Sequence, residues 1–393
     1  MKTITAATVF SYGFRPFFLA AGVFAALTIP AWIVILDAGW QPLGDLPPQL
    51  WHGHEMVFGF VAAAIGGFLL TAVPSWTGSR GFAGLPLVLA TAAWLVGRVA
   101  FAIEPVLPLP LTVLAELAYI PILIALIAPP ILRERNRNMA MIGVLTLLWL
   151  TDAAFMFALY RGDPLLASKS LGVAINIVLL LITIIGGRIV PAFTANGLRQ
   201  AGQTVTLRNY ALVERALPIV MLAVIVVDAV VPGGTWAVAV AALAALLHAI
   251  RLSGWRSLRV TGKPILWVLH LAYVWLPIGF ALKAVYLAAG SPWAQWWQHA
   301  FGIGVFALMI LAVTTRASLG HTGRPLNVHP TIPIAYLLVA LAALTRIAGP
   351  SIWPAHYLGV LTATATMWTT AFLIFVAIYG PILTRPRLDG KRG

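Results

Sequence analysis

The amino-acid sequence predicts an all-α polytopic membrane protein with about twelve transmembrane helices, folded as a single transmembrane domain over residues 1–393. Hydrophobic residues make up 61% of the chain and charged residues only 9%, whereas about a quarter of the residues of a typical soluble domain are charged. The mean hydropathy is +0.95. Long apolar runs also recur along the whole chain, which indicates many membrane-spanning segments.

The apolar runs define the predicted helices one by one. A bilayer core roughly 30 Å thick requires about 20 largely apolar residues per spanning helix. Runs of this kind lie at 14–36, 53–74, 84–103, 109–132, 139–160, 168–192, 210–231, 234–251, 263–288, 294–316, 331–348 and 356–382. Helices are expected because the lipid core offers the backbone no hydrogen-bond partners. The first run lacks a small-residue cleavage site, so it is interpreted as a helix and not as a signal peptide.

Basic residues in the connections predict the orientation. The net charge is +14, from 25 Lys and Arg against 11 Asp and Glu. Every second connection is basic, with Arg80; Arg133, Arg135 and Arg137; Arg199 and Arg208; Arg256, Arg259 and Lys263; and Arg316 and Arg324. The C-terminal tail adds Arg385, Arg387, Lys391 and Arg392, and the opposite connections carry little beyond Arg161 and Lys169. The positive-inside rule places these connections and both termini in the cytoplasm. Topology and anionic lipid head groups explain the charge without a nucleic-acid partner. No internal repeat is evident, although two six-helix halves divided around 193–209 would fit.

The chain has no cysteine, which restricts the metal sites that it can form. Thiolate-ligated haem, iron–sulfur clusters, CxxCH haem attachment and Cys-rich zinc sites are all excluded. Any metal must therefore be bound by His, Met, carboxylate or Tyr.

The predicted topology divides the eight histidines into two layers. The periplasmic layer contains His52, His54, His299 and His356, and the cytoplasmic layer contains His248, His270, His321 and His329. His52 and His54 are two residues apart on a helix, so their rings point about 200° from each other and cannot share one ligand position. They can serve two centres on opposite sides of the helix, with Met56 on the face of His52. The alternative is that both cap the helix at the lipid head groups.

Three further histidines are candidate ligands. His270 lies inside a predicted helix, where a polar ring is costly and usually functional, unless it makes an interhelical hydrogen bond. His299 lies beside Trp296 and Trp297 in an aromatic belt, and His321 lies in a Gly-rich loop.

Ionisable residues cluster in the periplasmic half of the predicted helices. They are Glu55, Arg98, Glu116, Asp152, Asp228 and Lys283. The three carboxyl groups Glu55, Glu116 and Asp152 are candidates to transfer protons or to tune an imidazole, and Arg98 or Lys283 to bind haem propionates. The alternative is structural ion pairing between helices. In the cytoplasmic half, the 186–197 stretch around Arg188 suggests a broken helix end near a ligand, or a capped terminus.

These residues fall in motifs that resemble the NnrS family of bacterial membrane proteins, nearly from end to end. The motifs are FSYGFRPFF at 10–18, WHGHEM at 51–56, FGF at 58–60, GFLLTAVPSWTG at 67–78, the 186–196 stretch, HLAYVW at 270–275, HAFG at 299–302 and GHTGR at 320–324. The resemblance implies an inner-membrane protein with copper and b-type haem, two haems being compatible, that acts on nitric oxide in denitrification and nitrosative-stress tolerance. The family's motif histidines correspond to His52, His54, His270, His299 and His321.

Several functions are compatible with this resemblance. The leading hypothesis is a haem- and copper-containing protein that removes nitric oxide, with reduction to nitrous oxide as its enzymatic form and a quinol or a cytochrome as electron donor. The rivals are a twelve-helix secondary transporter of metal ions or haem and a non-catalytic sensor or scavenger of nitric oxide. On the leading hypothesis Glu55, Glu116 and Asp152 act in catalysis, while Arg98 and Arg188 contact the cofactor.

Overall fold

Every regular element of the computed structural model is a helix within the part that it describes, residues 6–44, 46–203 and 205–390. The long helices are α1 (Phe14–Asp37), α2 (Pro48–Thr77), α3 (Leu85–Ala102), α4 (Leu109–Arg133), α5 (Arg137–Arg161), α6 (Pro164–Gln200), α7 (Ala211–Val230), α8 (Thr235–Ser253), α9 (Pro264–Ala289), α10 (Pro292–His321), α11 (Ile332–Ile352) and α12 (Pro354–Thr384). Eleven of them, all except α7, are long and apolar enough to cross a membrane. The predicted all-α polytopic membrane fold is therefore confirmed.

Helix α7 is distinguished by its charged residues. It carries Glu214, Arg215 and Asp228 within 20 residues. Glu214 pairs with Arg251 of α8, and Asp228 pairs with Lys283 of α9. Neighbouring helices therefore neutralise both acidic groups of α7, which lets an otherwise apolar helix carry them.

The chain divides into two compact units. Unit 1 comprises Met1–Ala174, Thr314–Asn327 and Phe372–Gly393, and unit 2 comprises Ile175–Val313 and Val328–Ala371. Helices α1 to α5 belong to unit 1, and helices α7, α8, α9 and α11 belong to unit 2. The single domain expected over the whole chain stays a prediction.

Helix α6 corrects one sequence-based boundary. The predicted end at residue 192 is wrong, because the helix continues through Pro191 to Gln200. Gly187, which suggested a helix end, has a packing role instead, because a Cβ there would collide with the Arg251 guanidinium. Arg188 is exposed. The 186–197 stretch is thus a continuous helix, and its small residues make room for a neighbouring side chain.

Helices α2 and α10 share a local pattern that was not recognised in the sequence. Each begins with Trp-x-x-His, ending at His54 in α2 and at His299 in α10. A π-helical segment follows immediately, Glu55–Val61 in α2 and Ala300–Ala307 in α10. A Thr-Gly pair follows each histidine at the same sequence distance. The backbones of both glycines, Gly78 and Gly323, are in the left-handed region. Such π-helical segments are rare and frequently occur at functional sites.

The similarity extends to the next helix of each pair. Helices α3 and α11 both have proline at their second residue. Each then carries one buried arginine, Arg98 in α3 and Arg346 in α11. The repeated unit is therefore the helix pair α2–α3 and α10–α11. In a repeat of two six-helix halves, α8 would be the counterpart of α2. The observed counterpart is α10, so this repeat does not correspond to a division around 193–209.

The orientation of the chain can be tested by labelling, because the parent chain has no cysteine. Leu258 and Val106 are 86% and 82% exposed, in a basic and a non-basic connection respectively. With the basic side cytoplasmic, we expect Leu258→Cys to be protected from an impermeant maleimide in intact cells and Val106→Cys to react. The unsubstituted chain gives the background, and permeabilised cells should label both variants. Reaction of Leu258→Cys alone in intact cells would reverse the predicted orientation.

Candidate metal centre

His54 lies at the centre of a buried polar cluster in unit 1. It is fully buried, in the second turn of α2, and so lies deeper in the helix than the predicted start at residue 53 placed it. The rings of Phe58, Phe101 and Phe155 surround the imidazole, with centroid separations of 4.8, 4.1 and 4.6 Å. Three aromatic rings thus shield the imidazole, and its polar contacts run through its two nitrogens.

Carboxyl groups face both nitrogens of His54. Nε2 lies 3.0 Å from Oδ1 of Asp152, at hydrogen-bond distance, and 3.8 Å from Oε1 of Glu116. Nδ1 lies 3.5 Å from Oε1 of Glu55. The structure therefore brings together the three carboxyl groups that the sequence marked as catalytic candidates, around one of its candidate metal ligands.

Arg98 connects two of these carboxyl groups. Its guanidinium donates one hydrogen bond to Glu55 and another to Glu116. Oε2 of Glu116 has no hydrogen-bond partner within the described residues. Gly97 lets Glu116 lie close to the backbone of α3, because a Cβ at position 97 would lie 3.2 Å from Oε2 of Glu116. Arg98 therefore links Glu55 and Glu116 by ion pairs, and its contact with a cofactor stays a prediction.

The cluster contains more potential negative charge than positive charge. It combines three carboxyl groups with one guanidinium and one imidazole, and all five side chains are at most 6% exposed. With a neutral imidazole and all three carboxylates ionised, two negative charges would remain in a low-dielectric interior. Uncompensated buried charge is strongly unfavourable. The cluster must therefore hold protons on its carboxyl groups, bind a cation, or do both.

A single metal ion matches the dimensions of the cluster. One ligand atom each from His54, Glu116 and Asp152 lie within 4.8 Å of one another, and this is the one group of three such residues found within the described residues. A cavity of about 10 Å³ adjoins Arg98, Glu116 and Asp152, about the space that one water molecule needs. A donor set of imidazole nitrogen and carboxylate oxygen suits a divalent transition-metal ion, Cu²⁺ among them. Haem does not fit, because the three phenylalanine rings occupy the space that a macrocycle needs.

His52 lies in different surroundings from His54. It is partly buried and stacks on Trp32, with centroids 4.9 Å apart and an interplanar angle of 16°. The prediction that the two rings face different sides of the helix is confirmed.

His270, in unit 2, makes hydrogen bonds through both ring nitrogens. Nε2 lies 2.7 Å from Oγ1 of Thr194, and Nδ1 lies 2.8 Å from Oγ of Ser257. This is the hydrogen-bonding alternative of the sequence analysis. A ligand role for His270 would require one of these hydroxyl groups to be displaced.

The other predicted ligands do not join a metal-sized group within the described residues. His299 is partly buried, with its ring centroid 6.2 Å from that of Trp296. His321 is the last residue of α10 and not a loop residue, and it stacks against Tyr12 at 6.0 Å. Its backbone oxygen accepts a hydrogen bond from Arg387. Arg188 is exposed on α6, and its contact with the cofactor stays a prediction.

A second buried polar network, in unit 2, was missed by the sequence analysis. Nδ1 of His248 lies 2.8 Å from the Tyr273 hydroxyl, and Arg251 donates to that hydroxyl and to Glu214. His248 and Arg251 are three residues apart and so share one face of α8, a spacing that could have indicated the network. Arg251 lies near the end of α8, close to the basic connection that follows.

Lys283, the other cation that the sequence marked as a candidate contact for haem propionates, is also paired. It bonds to Asp228, whose Oδ2 accepts a second hydrogen bond from Asn176 at 2.6 Å. Lys283 therefore forms the interhelical ion pair that the sequence analysis gave as one alternative, and its contact with a cofactor stays a prediction.

Comparison with known proteins gives one family. The profile of the NnrS family, described as NnrS protein, matches residues 8–387. The match covers nearly the whole chain, including every residue of the cluster around His54. No curated protein matches the chain.

Proposed function

Because the chain belongs to the NnrS family, we propose that it removes nitric oxide in the bacterial inner membrane, using a copper ion bound by His54, Glu116 and Asp152. Membership of this family links the chain to the response to nitric oxide, and the long apolar helices make it a multi-pass membrane protein. Nitric oxide is small and uncharged, so a site enclosed by helices is accessible to it from the lipid.

One observation carries the proposal, the excess of carboxyl groups around His54. A bound divalent cation would compensate the two negative charges that Arg98 leaves. His54 would contribute nitrogen, while Glu116 and Asp152 would contribute oxygen. A copper ion in this position would supply a one-electron redox centre that binds nitric oxide.

The remaining residues of the cluster position the ligands. Glu55 faces Nδ1 of His54, and a carboxylate behind a ligating imidazole fixes its orientation and raises its basicity. Arg98 holds Glu55 and Glu116 in place by donating to both. The rings of Phe58, Phe101 and Phe155 exclude water from the imidazole.

Reduction of nitric oxide requires protons as well as electrons. Two NO, two protons and two electrons give one N₂O and one water, so a buried site needs a proton carrier. Glu55 suits this role, because it contacts His54 but is outside the group of three candidate ligands. In this proposal Glu116, a candidate carrier on sequence grounds, binds the metal instead, which its place in the group with His54 and Asp152 supports. A membrane quinol or a cytochrome would supply the electrons.

Haem, which the family resemblance also implies, stays a prediction. In this structure His54 has no space beside it for a haem. Both ring nitrogens of His270 are hydrogen-bonded, so neither is open to haem iron. His52, His299 and His321 are the remaining candidates. An absorption spectrum of the purified protein should show a Soret band, whose absence would remove haem from the proposal.

Metal analysis together with nitric oxide consumption tests the main proposal. Purified full-length protein should contain copper in about stoichiometric amount and should consume nitric oxide when given a quinol or reduced cytochrome. Binding without consumption would favour the sensor or scavenger. A protein that neither contains a metal nor binds nitric oxide would refute the proposal.

Glu55→Gln should separate proton supply from metal binding. The amide keeps the shape of Glu55 but cannot carry a proton. Loss of this carboxylate should weaken metal affinity, so the variant is loaded with copper in excess, under which we expect metal content within about twofold of the parent. Nitric oxide turnover should fall about 100-fold, the usual contribution of a positioned acid–base group. Single-turnover binding of nitric oxide provides the control, since it needs no proton and should be unchanged. Full turnover by a metal-replete Glu55→Gln protein would exclude Glu55 from the proton path.

The same excess of buried carboxyl groups also suits a transporter of divalent cations, in which the cluster binds the ion in transit. Proteoliposomes distinguish the two functions. Cation uptake that depends on Asp152 and Glu116, in protein that does not consume nitric oxide, would favour transport.

A further inference from the structure

Unit 2 contains a second version of the framework that holds the cluster in unit 1. The Trp-x-x-His sequence, the π-helical segment and the buried arginine of the following helix recur, so that His299 corresponds to His54 and Arg346 to Arg98. The residue after the histidine differs. It is Glu55 in unit 1 and Ala300 in unit 2.

The second arginine therefore lacks the counterions of the first. Arg98 is paired with Glu55 and Glu116. Arg346 forms no ion pair within the part of the chain that the structure describes, although it is only 7% exposed. A buried charge without a partner is strongly unfavourable, so the position favours a negatively charged ligand.

Aromatic side chains shape the space around Arg346. Its guanidinium carbon lies 4.2 Å from the ring centroid of Trp296 and 5.8 Å from that of Tyr357. Nη2 donates to the Tyr357 hydroxyl at 3.4 Å, while the buried Nη1 has no hydrogen-bond partner within the described residues. Stacking on Trp296 compensates part of the charge, but it leaves the Nη1 donor unsatisfied.

We propose that Arg346 binds a small planar oxyanion: nitrite, nitrate or the carboxylate of a bound molecule. The planar guanidinium fork matches two oxygens of such an anion. The Tyr357 hydroxyl accepts from Arg346 and can still donate its own proton to the ligand. Tyr357 is 40% exposed and Trp353 is 54% exposed, so the site lies beside an open surface where α11 ends and α12 begins. A ligand of Arg346 would enter from this end of the helices.

This site shares no residue with the cluster around His54, so each proposal can fail without the other. Neither metal content nor nitric oxide turnover is needed to detect the anion.

Calorimetric titration of the purified full-length protein tests the proposal. Sodium nitrite, nitrate, acetate and phosphate are compared at constant ionic strength, with sodium chloride as the background. We expect saturable binding of at least one planar anion, weakened about tenfold or more in Arg346→Gln, because a charge-assisted hydrogen-bond pair is lost. Arg346→Lys should also bind more weakly, since an ammonium group cannot form the two-point contact. Arg215→Gln, at an exposed arginine of α7, is the matched control and should bind as the parent does.

The outcomes separate the sources of the anion. Binding of nitrite or nitrate indicates a soluble inorganic ligand, and binding of acetate alone indicates a carboxylate carried by a larger molecule. Binding of phosphate alone, equal effects of all salts including chloride, or no saturable binding by the parent would each overturn the proposal. So would parent-like affinity in Arg346→Gln. If Arg346→Gln does not fold, the affinity of Arg346→Lys decides in the same way.

Discussion

Replacing His54 with alanine should remove most of the bound metal and with it the turnover of nitric oxide. His54 is the only nitrogen donor in the group with Glu116 and Asp152. Loss of an outer-shell partner alone typically lowers metal affinity 10–100-fold, and loss of a ligand should lower it at least as much. We therefore expect metal content below about a tenth of that of the parent, measured by elemental analysis after gel filtration.

Two other histidines provide matched controls. His329 lies in an exposed loop and contacts Thr331, so His329→Ala should keep both metal and activity. His270→Ala should keep the metal of the cluster as well, because His270 is bonded to Thr194 and Ser257. Parent-like metal content in a folded His54→Ala protein would remove the metal centre from this position. Loss of metal in all three variants would indicate general destabilisation.

Most of the fold follows from the sequence because the bilayer restricts it so strongly. A run of about 20 apolar residues has to be a helix in lipid, and the predicted runs correspond to the helices observed. The errors lie where a local signal has two physical causes. Gly187 and Pro191 suggested a helix end, but the glycine instead makes room for Arg251 within a continuous helix. Only the position of a distant side chain distinguishes the two cases.

The candidate site could be predicted as a set of residues but not as an arrangement. The rarity of ionisable residues inside apolar helices marked Glu55, Arg98, Glu116 and Asp152. Sequence spacing also showed that His52 and His54 face different sides. It could not show which side meets the carboxyl groups, because Glu116 and Asp152 come from α4 and α5, more than 60 residues away along the chain. That relation depends on how helices pack, which hydropathy does not encode.

The comparison of α2–α3 with α10–α11 shows how one framework can carry opposite charge. In unit 1 the buried arginine lies among carboxyl groups, and the excess is negative. In unit 2 Ala300 takes the place of Glu55, and Arg346 has no ion pair within the described residues. The net charge of this site is therefore positive. A cation is the expected ligand of the first site and an anion that of the second. The residue that follows the histidine is thus one of the differences between the two sites, together with Glu116 and Asp152 from neighbouring helices in unit 1.

Replacing Arg98 with glutamine should destabilise the protein more than any other single change in the cluster. Arg98 is the only permanent cation among Glu55, Glu116 and Asp152. Breaking a buried ion pair by removing one partner costs about 3–5 kcal/mol, and here two carboxyl groups lose their partner together. Thermal unfolding in detergent should show the loss, while Arg215→Gln on the exposed surface of α7 should unfold like the parent.

Two further measurements show whether charge is the cause. The double variant Arg98→Gln/Glu55→Gln removes one negative charge along with the positive one, so it should recover part of the lost stability. Chelation of the metal should destabilise Arg98→Gln more than the parent, because the ion is then the only cation left to compensate Glu116 and Asp152. Equal stability of Arg98→Gln and the parent in metal-free form would show that the carboxyl groups are neutral in the folded protein. Such a result would leave the cluster as a store of protons and would remove the electrostatic argument for a bound cation.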